Sequence, residues 1–249
     1  MKYWNVDRLY KYYRYDRHSL SALRTRNFWF AKPASLNDPF DCKIPFNGHI
    51  TVQAVKKFLP RYARYRGLSM KQAEADLHRI NARNGQIDPK FEKIWKNVLR
   101  QASKSLEDSG VFSLSEDCGN ILMWSHYGDG HKGFCIEFER NPHNDLGDYD
   151  KTRKVKYRTE YPIISPLDLS AYDYKFFWKA AGWKYEREWR LVKKQGNVAV
   201  PLSAGISAVI FGLKMSSRHK SVIKEILPDI RYRQCMKMPN SFSVNIVDL

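Results

Sequence analysis

Apolar residues recur along this chain with two different periods. Val52, Val55, Phe58, Leu59 and Tyr62 fall three and four apart, and Phe91, Ile94, Trp95, Val98 and Leu99 do the same. That spacing lays one apolar stripe along a helix, so the stretch from about 50 to 108 is expected to be helical, broken at Gly85, Ile87 and Pro89. Elsewhere the apolar runs are short, and they alternate with polar residues or end at turn formers, as strands do. Strands are expected at Tyr10 to Tyr15, Asn27 to Ala31, Val111 to Leu114, Gly133 to Phe138, Lys154 to Tyr157, Glu188 to Val192, Ala204 to Phe211, Ile230 to Met236 and Ser243 to Val247. Helices are expected at His18 to Arg24, with Ser19 or Ser21 near its start, at Ile121 to Tyr127, at Tyr172 to Trp183, and at Ser217 to Leu227, where Pro228 stops it. Lys32 to Pro45 reads as a turn-rich loop. Interleaved short strands and helices are an α+β pattern. The expectation is one α+β domain over residues 1–249, with a helical insertion at about 50–108 between two strand-rich halves.

Composition narrows the class. Of 249 residues, 43% are hydrophobic and 14% aromatic, which excludes disorder as the main state. No apolar run approaches the ~18 residues of a membrane span. The first seventeen residues lack the apolar segment of a secretory signal, so a cytoplasmic protein is expected. Cys42, Cys118, Cys135 and Cys235 are scattered with no C-x-x-C pair, so free thiols and no zinc site are expected. The formal charge is +17. It is concentrated, with 13 Lys/Arg against 4 Asp/Glu from Thr51 to Ser105, and 8 against 2 from Met1 to Lys32. Such a balance favours a polyanionic partner, nucleic acid ahead of an acidic membrane surface.

The common fingerprints of phosphate loops, dinucleotide folds, zinc proteases and α/β-hydrolases do not occur. Three stretches nevertheless concentrate polar chemistry among aromatics. Asn37-Asp38-Pro39-Phe40-Asp41 is a turn former that presents an amide and carboxylates from a rigid loop. In Met123-Trp124-Ser125-His126-Tyr127-Gly128, helical spacing puts Met123, His126 and Tyr127 on one face, with Trp124 a quarter-turn away and able to stack on a flat ring. In Tyr185-Glu186-Arg187-Glu188-Trp189-Arg190-Leu191, strand alternation puts Glu186, Glu188 and Arg190 on one side and Trp189 and Leu191 on the packing side. That polar row is either a surface ion-pair ladder or an active-site carboxylate with its supports.

These stretches also carry a resemblance. Tyr10-Lys11-Tyr12-Tyr13-Arg14, the loop from Phe28 to Asp41, Asn120 to Tyr127 with Gly133 to Phe138, and Glu186 to Leu191 resemble, in order, the motifs of a large bacterial family named only as a domain of unknown function. The layout is similar to that of ADP-ribosyltransferases, which implies a split-sheet α+β core and NAD as substrate. In those enzymes a His or Arg on an early strand holds the adenosine-side ribose, a Tyr or Ser at a second strand–helix junction lines the nicotinamide pocket, and a Glu on a later strand completes the set. The resemblance implies Tyr12 or Arg14 for the first role, His126 and Tyr127 for the second, and Glu188 for the third. A fixed carboxylate at Glu188 suits the positive charge that builds on C1′ as the nicotinamide–ribose bond breaks. Glu186 would accept the nucleophile's proton and Tyr127 would stack on nicotinamide. Arg14 would neutralise pyrophosphate and Asn37 would bond the carboxamide or a ribose. Asp38, Trp124 and Arg190 complete the expected cofactor-binding set. The basic insertion suggests a macromolecular acceptor, RNA or DNA; by analogy with the family, such activity would fit a toxin or anti-phage effector, with an antitoxin or regulatory protein as a further partner. Two other readings stand beside it. One is a metal-dependent nuclease using Asp38, Asp41, Glu116 and Glu188. The other is a non-catalytic nucleic-acid-binding or regulatory module, its basic residues interleaved with Tyr and Trp.

Overall fold

The structure, a computed structural model, describes residues 5–43, 52–80, 104–161 and 175–249, with Pro89, Lys93 and Arg100. The first half contains β1 (Arg8–Tyr13), α1 (Arg17–Thr25), β2 (Asn27–Phe30), a 3-10 turn at Pro33–Ser35, α2 (Val52–Arg66), α3 (Met70–Ile80) and β3 (Gly110–Ser115). Then come α4 (Ile121–His126), β4 (Phe134–Glu139), β5 (Thr152–Lys154), β6 (Lys156–Arg158), β7 (Trp178–Ala180) and a 3-10 helix, Ala181–Glu186. The chain ends with β8 (Glu188–Lys193), β9 (Val198–Pro201), β10 (Ile206–Phe211), α5 (Ser217–Ile226), β11 (Arg231–Lys237) and β12 (Val244–Asp248).

Eight strands form one mixed sheet in the order β12-β11-β10-β4-β1-β3-β8-β5. β1 pairs antiparallel with β4 along its whole length, from Arg8 to Tyr13, and β3 pairs antiparallel with β8 in the same way. β10 and β11 run parallel, so the chain must cross over between them, and α5 is that crossover. β2 and β9 form an antiparallel ribbon, and β6 and β7 a short parallel pair. The architecture is α+β.

Alternation along the strands builds the core. Leu9, Phe112, Leu114, Ile136, Phe138, Trp189, Leu191, Val209 and Phe211 share one face and pack with Leu23 of α1, Phe28 and Phe30 of β2, and Ile223 of α5. Each such side chain, fully buried, stabilises the fold by about 1.5–3 kcal/mol. The opposite face divides in two. Over β1, β4 and β10 it carries an apolar patch, Tyr12, Cys135 and Ile210 against Met123 and Trp124 of α4, with the buried Glu137 beside it bonded to Ser207 and Arg233. Over β3 and β8 the same face carries Ser113, Ser115, Glu188 and Arg190, which are the alternate residues to Phe112, Leu114, Trp189 and Leu191.

Several expectations need correction. The N-cap of α1 is Asp16, which accepts from the Ser19 amide, while Ser19 returns the bond as the third residue of a capping box. The expected strand at Lys154 to Tyr157 is two strands in different sheets, parted at Val155, whose N–H donates to Glu188 O. The expected helix at Tyr172 to Trp183 is helical at residues 175–177, the first of its described part, then gives way to strand β7 and the 3-10 helix; aromatic content there reflects packing of Phe176 and Phe177 against Val111 and Val192. Strand β9 is additional to the expected set. The insertion is helical at α2 and α3, with its own small apolar cluster of Leu59, Ala63 and Ala73. Its second apolar stripe, Phe91 to Leu99, and the expected break at Gly85 and Ile87 lie outside the described residues. Among the described residues, no helix is long and apolar enough to cross a membrane.

Candidate active site

β1 and β3 are neighbours in the sheet, yet they pair only at Tyr10 and Ser115. Beyond that point the strands part, and a cavity of about 270 Å³ opens beside them. Lys11 reaches into the gap, where its ammonium donates to Ser113 O at 2.7 Å and lies 4.9 Å from the centre of the Phe112 ring. Burial lowers the Lys11 pKa to about 8, against the opposing pull of Glu188 and Glu186.

Around the cavity, three carboxylates meet two further cations. Arg190 has no exposed surface. Its Nε donates to Glu188 Oε1 at 2.7 Å and its Nη2 to Glu188 Oε2 at 2.9 Å, while Nη1 donates to Asp41 Oδ1 at 2.9 Å and Phe176 O at 2.8 Å. Lys179 donates to Glu186 and to Glu188 Oε2, the latter at 3.1 Å, and lies 3.6 Å from Asp41. Tyr127 Oη donates to Glu186 Oε1 at 2.7 Å and accepts from Asn37 Nδ2 at 3.0 Å. The chain therefore places two glutamates two residues apart on one lysine, in different surroundings.

Local geometry explains that placement. Glu186 ends the 3-10 helix and Glu188 begins β8; between them Arg187 takes a left-handed conformation, φ 45°. Strand alternation, the sequence-based reason for putting both carboxylates on one face, is not the cause. Ser115 Oγ donates to Glu186 O at 2.7 Å, and the Glu188 N–H donates to the Tyr157 hydroxyl at 2.8 Å, so the backbone on either side of Arg187 is tethered. In the loop before α2, Asp38 accepts from the Phe40 amide at 2.9 Å. This Asx turn points Asp41 inward to Arg190 and Phe40 outward.

The two glutamates titrate in opposite directions. Burial alone would raise Glu188, but the Arg190 guanidinium and the Lys179 ammonium outweigh it and hold its carboxyl at about 2. Burial raises Glu186, the negative Glu188 raises it further, and Lys179 and Tyr127 only partly offset this. Burial likewise disfavours the charged form of Lys179, but Glu188, Glu186 and Asp41 prevail and raise its pKa. Glu188 is thus held in its ionised form, whereas Glu186 takes up a proton more readily than an ordinary carboxylate.

Of the residues expected from sequence, Glu186, Glu188, Tyr127, Asn37, Tyr12 and Arg190 border this cavity. Arg190 acts behind the carboxylates, fully committed to Asp41, Glu188 and Phe176. Asp38 is buried in its turn. Trp124 belongs to the core: its ring meets Tyr12 edge to face, and Nε1 donates to Cys118 O at 2.9 Å. Arg14 and His126 lie apart, in an adjoining depression with His18 and Trp29 that shares Lys11, Tyr12 and Tyr127 with the cavity. Lys11, Lys179, Ser113 and Ser115 join the site without having been singled out by the sequence motifs. The available signal for Lys11 is an isolated lysine between strand aromatics in the Tyr-Lys-Tyr-Tyr run; Lys179 lies inside a stretch whose composition suggests a helix.

The carboxylates of a nuclease do not converge. Glu116 is on the other side of β3, bonded to Lys154, Arg187 and Trp189, and Asp41 meets Glu188 only through Arg190 and Lys179. Among the described residues no group of three or more His, Cys, Asp or Glu is arranged to hold a metal ion.

Residues 123–191, from within α4 through most of β8, match the model of a family described as "Protein of unknown function (DUF2971)". No curated protein and no solved structure matches the chain.

Proposed function

We propose that this protein cleaves the nicotinamide–ribose bond of NAD and transfers ADP-ribose to a macromolecular acceptor. The observation that carries the reading is the Glu186–Glu188 pair, held on Lys179 at the mouth of a split sheet and pushed apart in acidity. The three positions expected of an ADP-ribosyltransferase have counterparts around one cavity. The first-strand cation is Lys11, rather than Arg14. Ser115, the last residue of β3, and Tyr127, the C-cap of α4, take the second role. The later-strand carboxylate is Glu188.

The residues suit such a substrate. NAD supplies a cationic leaving group on C1′ of a ribose. A cavity of about 270 Å³ is small for a whole dinucleotide but suits a ring and its sugar. The adjoining depression, with Arg14, His18 and His126, offers cationic and imidazole groups for the pyrophosphate side. Glu188, held ionised by Arg190 and Lys179, supplies the negative charge beside C1′ as positive charge develops there. Glu186 takes the proton of the attacking group. Tyr127, fixed by Asn37 and Glu186, closes the wall against the leaving ring.

The test is nicotinamide release from NAD by the wild-type chain, Glu188→Gln and Glu186→Gln, each checked for folding by thermal melting. Wild-type release is expected, with at least a roughly hundredfold loss in both variants. Release that persists in Glu188→Gln overturns the assignment.

A further inference from the structure

Phe40 and Tyr161 are large rings left at the surface, 64% and 48% exposed, with centroids 6.5 Å apart and planes at 49°. They are not loosely placed. Tyr161 Oη donates to Phe40 O at 3.1 Å, and Phe40 is aimed outward by the same Asx turn that aims Asp41 inward. Beside them is a second cavity of about 210 Å³, floored by the β6–β7 pair. Trp178 lines it, with the Arg158 guanidinium 4.7 Å from the ring centre, and Glu160 stands at its edge. Lys179 lines it too, and the same lysine walls the carboxylate cavity. One side chain is common to the two spaces.

An exposed pair of rings beside a guanidinium suits a flat, weakly polar ring joined to a phosphate. In a chain of formal charge +17, the polyanion that presents such rings one at a time is single-stranded nucleic acid. We infer that this second cavity is the acceptor site, and that it takes one unpaired base of RNA or single-stranded DNA between Phe40, Tyr161 and Trp178. Arg158 meets the neighbouring phosphate, and Glu160 accepts from an N–H on the edge of the base. The inference rests on the transferase reading of the adjoining cavity. In the transfer, an amino or hydroxyl group of the bound nucleotide attacks C1′ and the C1′–N bond breaks. Nicotinamide leaves neutral with the bond's electron pair, and the acceptor's proton passes to Glu186.

Phe40→Ala and Tyr161→Ala test the site, since both residues are exposed and lie outside the carboxylate cavity. The probes are fluorescent oligoadenylate and oligouridylate strands of about twelve nucleotides, with a duplex of the same length as control, titrated without NAD at fixed salt. Each variant is expected to bind single strands about five- to a hundredfold more weakly. Nicotinamide release to water is expected to stay at the wild-type rate. Unchanged affinity in both variants, duplex binding as tight as single-strand binding, or ADP-ribose found on protein instead of nucleic acid would overturn the inference. Weakened binding without any wild-type nicotinamide release leaves the base site standing and removes the transferase. Release with unaltered oligonucleotide binding does the reverse.

Discussion

Arg190 is the side chain on which the charge centre depends. It is fully enclosed and bridges two acids from distant parts of the chain, Asp41 and Glu188. Removing one partner of a buried ionic group leaves the others uncompensated, which costs about 3–5 kcal/mol. Arg190→Ala is therefore expected to lose roughly that much stability in urea titration. Arg190→Lys, which cannot present two parallel N–H pairs, should recover only part of it. Activity should report the acidity of two other residues. Glu186 must be ionised to accept a proton, and its pKa lies above the ordinary carboxylate value, so kcat/KM for nicotinamide release should rise with pH across that raised pKa. Lys11 must be charged to serve as the first-strand cation, and its pKa is about 8, so the rate should fall again above that pH. Lys11→Arg keeps the charge and should abolish the alkaline limb while leaving the acid limb in place. A pH–rate profile unaffected by Lys11→Arg would dissociate Lys11 from the chemistry.

At the scale of elements, the site depends on a change of backbone hand. The left-handed Arg187 joins a 3-10 helix to β8 and lets Glu186 and Glu188 reach the same lysine. Glycine tolerates positive φ, whereas a β-branched residue does so poorly. Arg187→Gly should keep nicotinamide release close to wild type. Arg187→Val should cost about 1–2 kcal/mol in urea titration and also lower the rate, because Glu186 is displaced. This junction also marks how far sequence reading reaches. Strands such as β4 and β10, and helices such as α1 and α5, follow from apolar period and turn residues, since one face or both are buried. The motifs around Asn37, Tyr127 and Glu188 are also legible, because polar groups between aromatics are uncommon in a core. Lys11 and Lys179 are not, since their role arises from where β1 and β3 part and where β7 lies, and both are long-range facts. The 3-10 helix and β7 escape the pattern because the run Phe176-Phe177-Trp178, followed by Trp183 and Tyr185, carries no clear period. Asp41 suggests a metal ligand when met in sequence; its partner, Arg190, is 149 residues away.

For the molecule as a whole, the larger block of positive charge lies away from the site, although the basic N-terminal segment contributes Lys11 to it. The insertion between β2 and β3 holds exposed lysines on helices with their own apolar cluster, apart from the sheet's core. Replacing Lys56, Lys57 and Lys71 by Gln should leave the thermal melt unchanged and weaken oligonucleotide binding. The slope of log affinity against log salt should flatten by about 0.7 for each phosphate of a single strand that is no longer neutralised. A slope identical to wild type would show that the insertion does not touch the phosphates.

The split beside β1 has a further consequence for how the protein is made. Its cavity draws Lys11 from the first strand, Asn37 and Asp41 from the next loop, Ser113 to Tyr127 from the middle, and Lys179 to Arg190 from β7 through β8. β1 lies between β3 and β4, and β4 in turn needs β10 as its other neighbour. A ribosome translating this chain therefore holds no working fragment of the centre until residues beyond 190 have emerged. Whatever the centre does, its parts come together only after β8 and β10 are in place, long after β1 has left the ribosome.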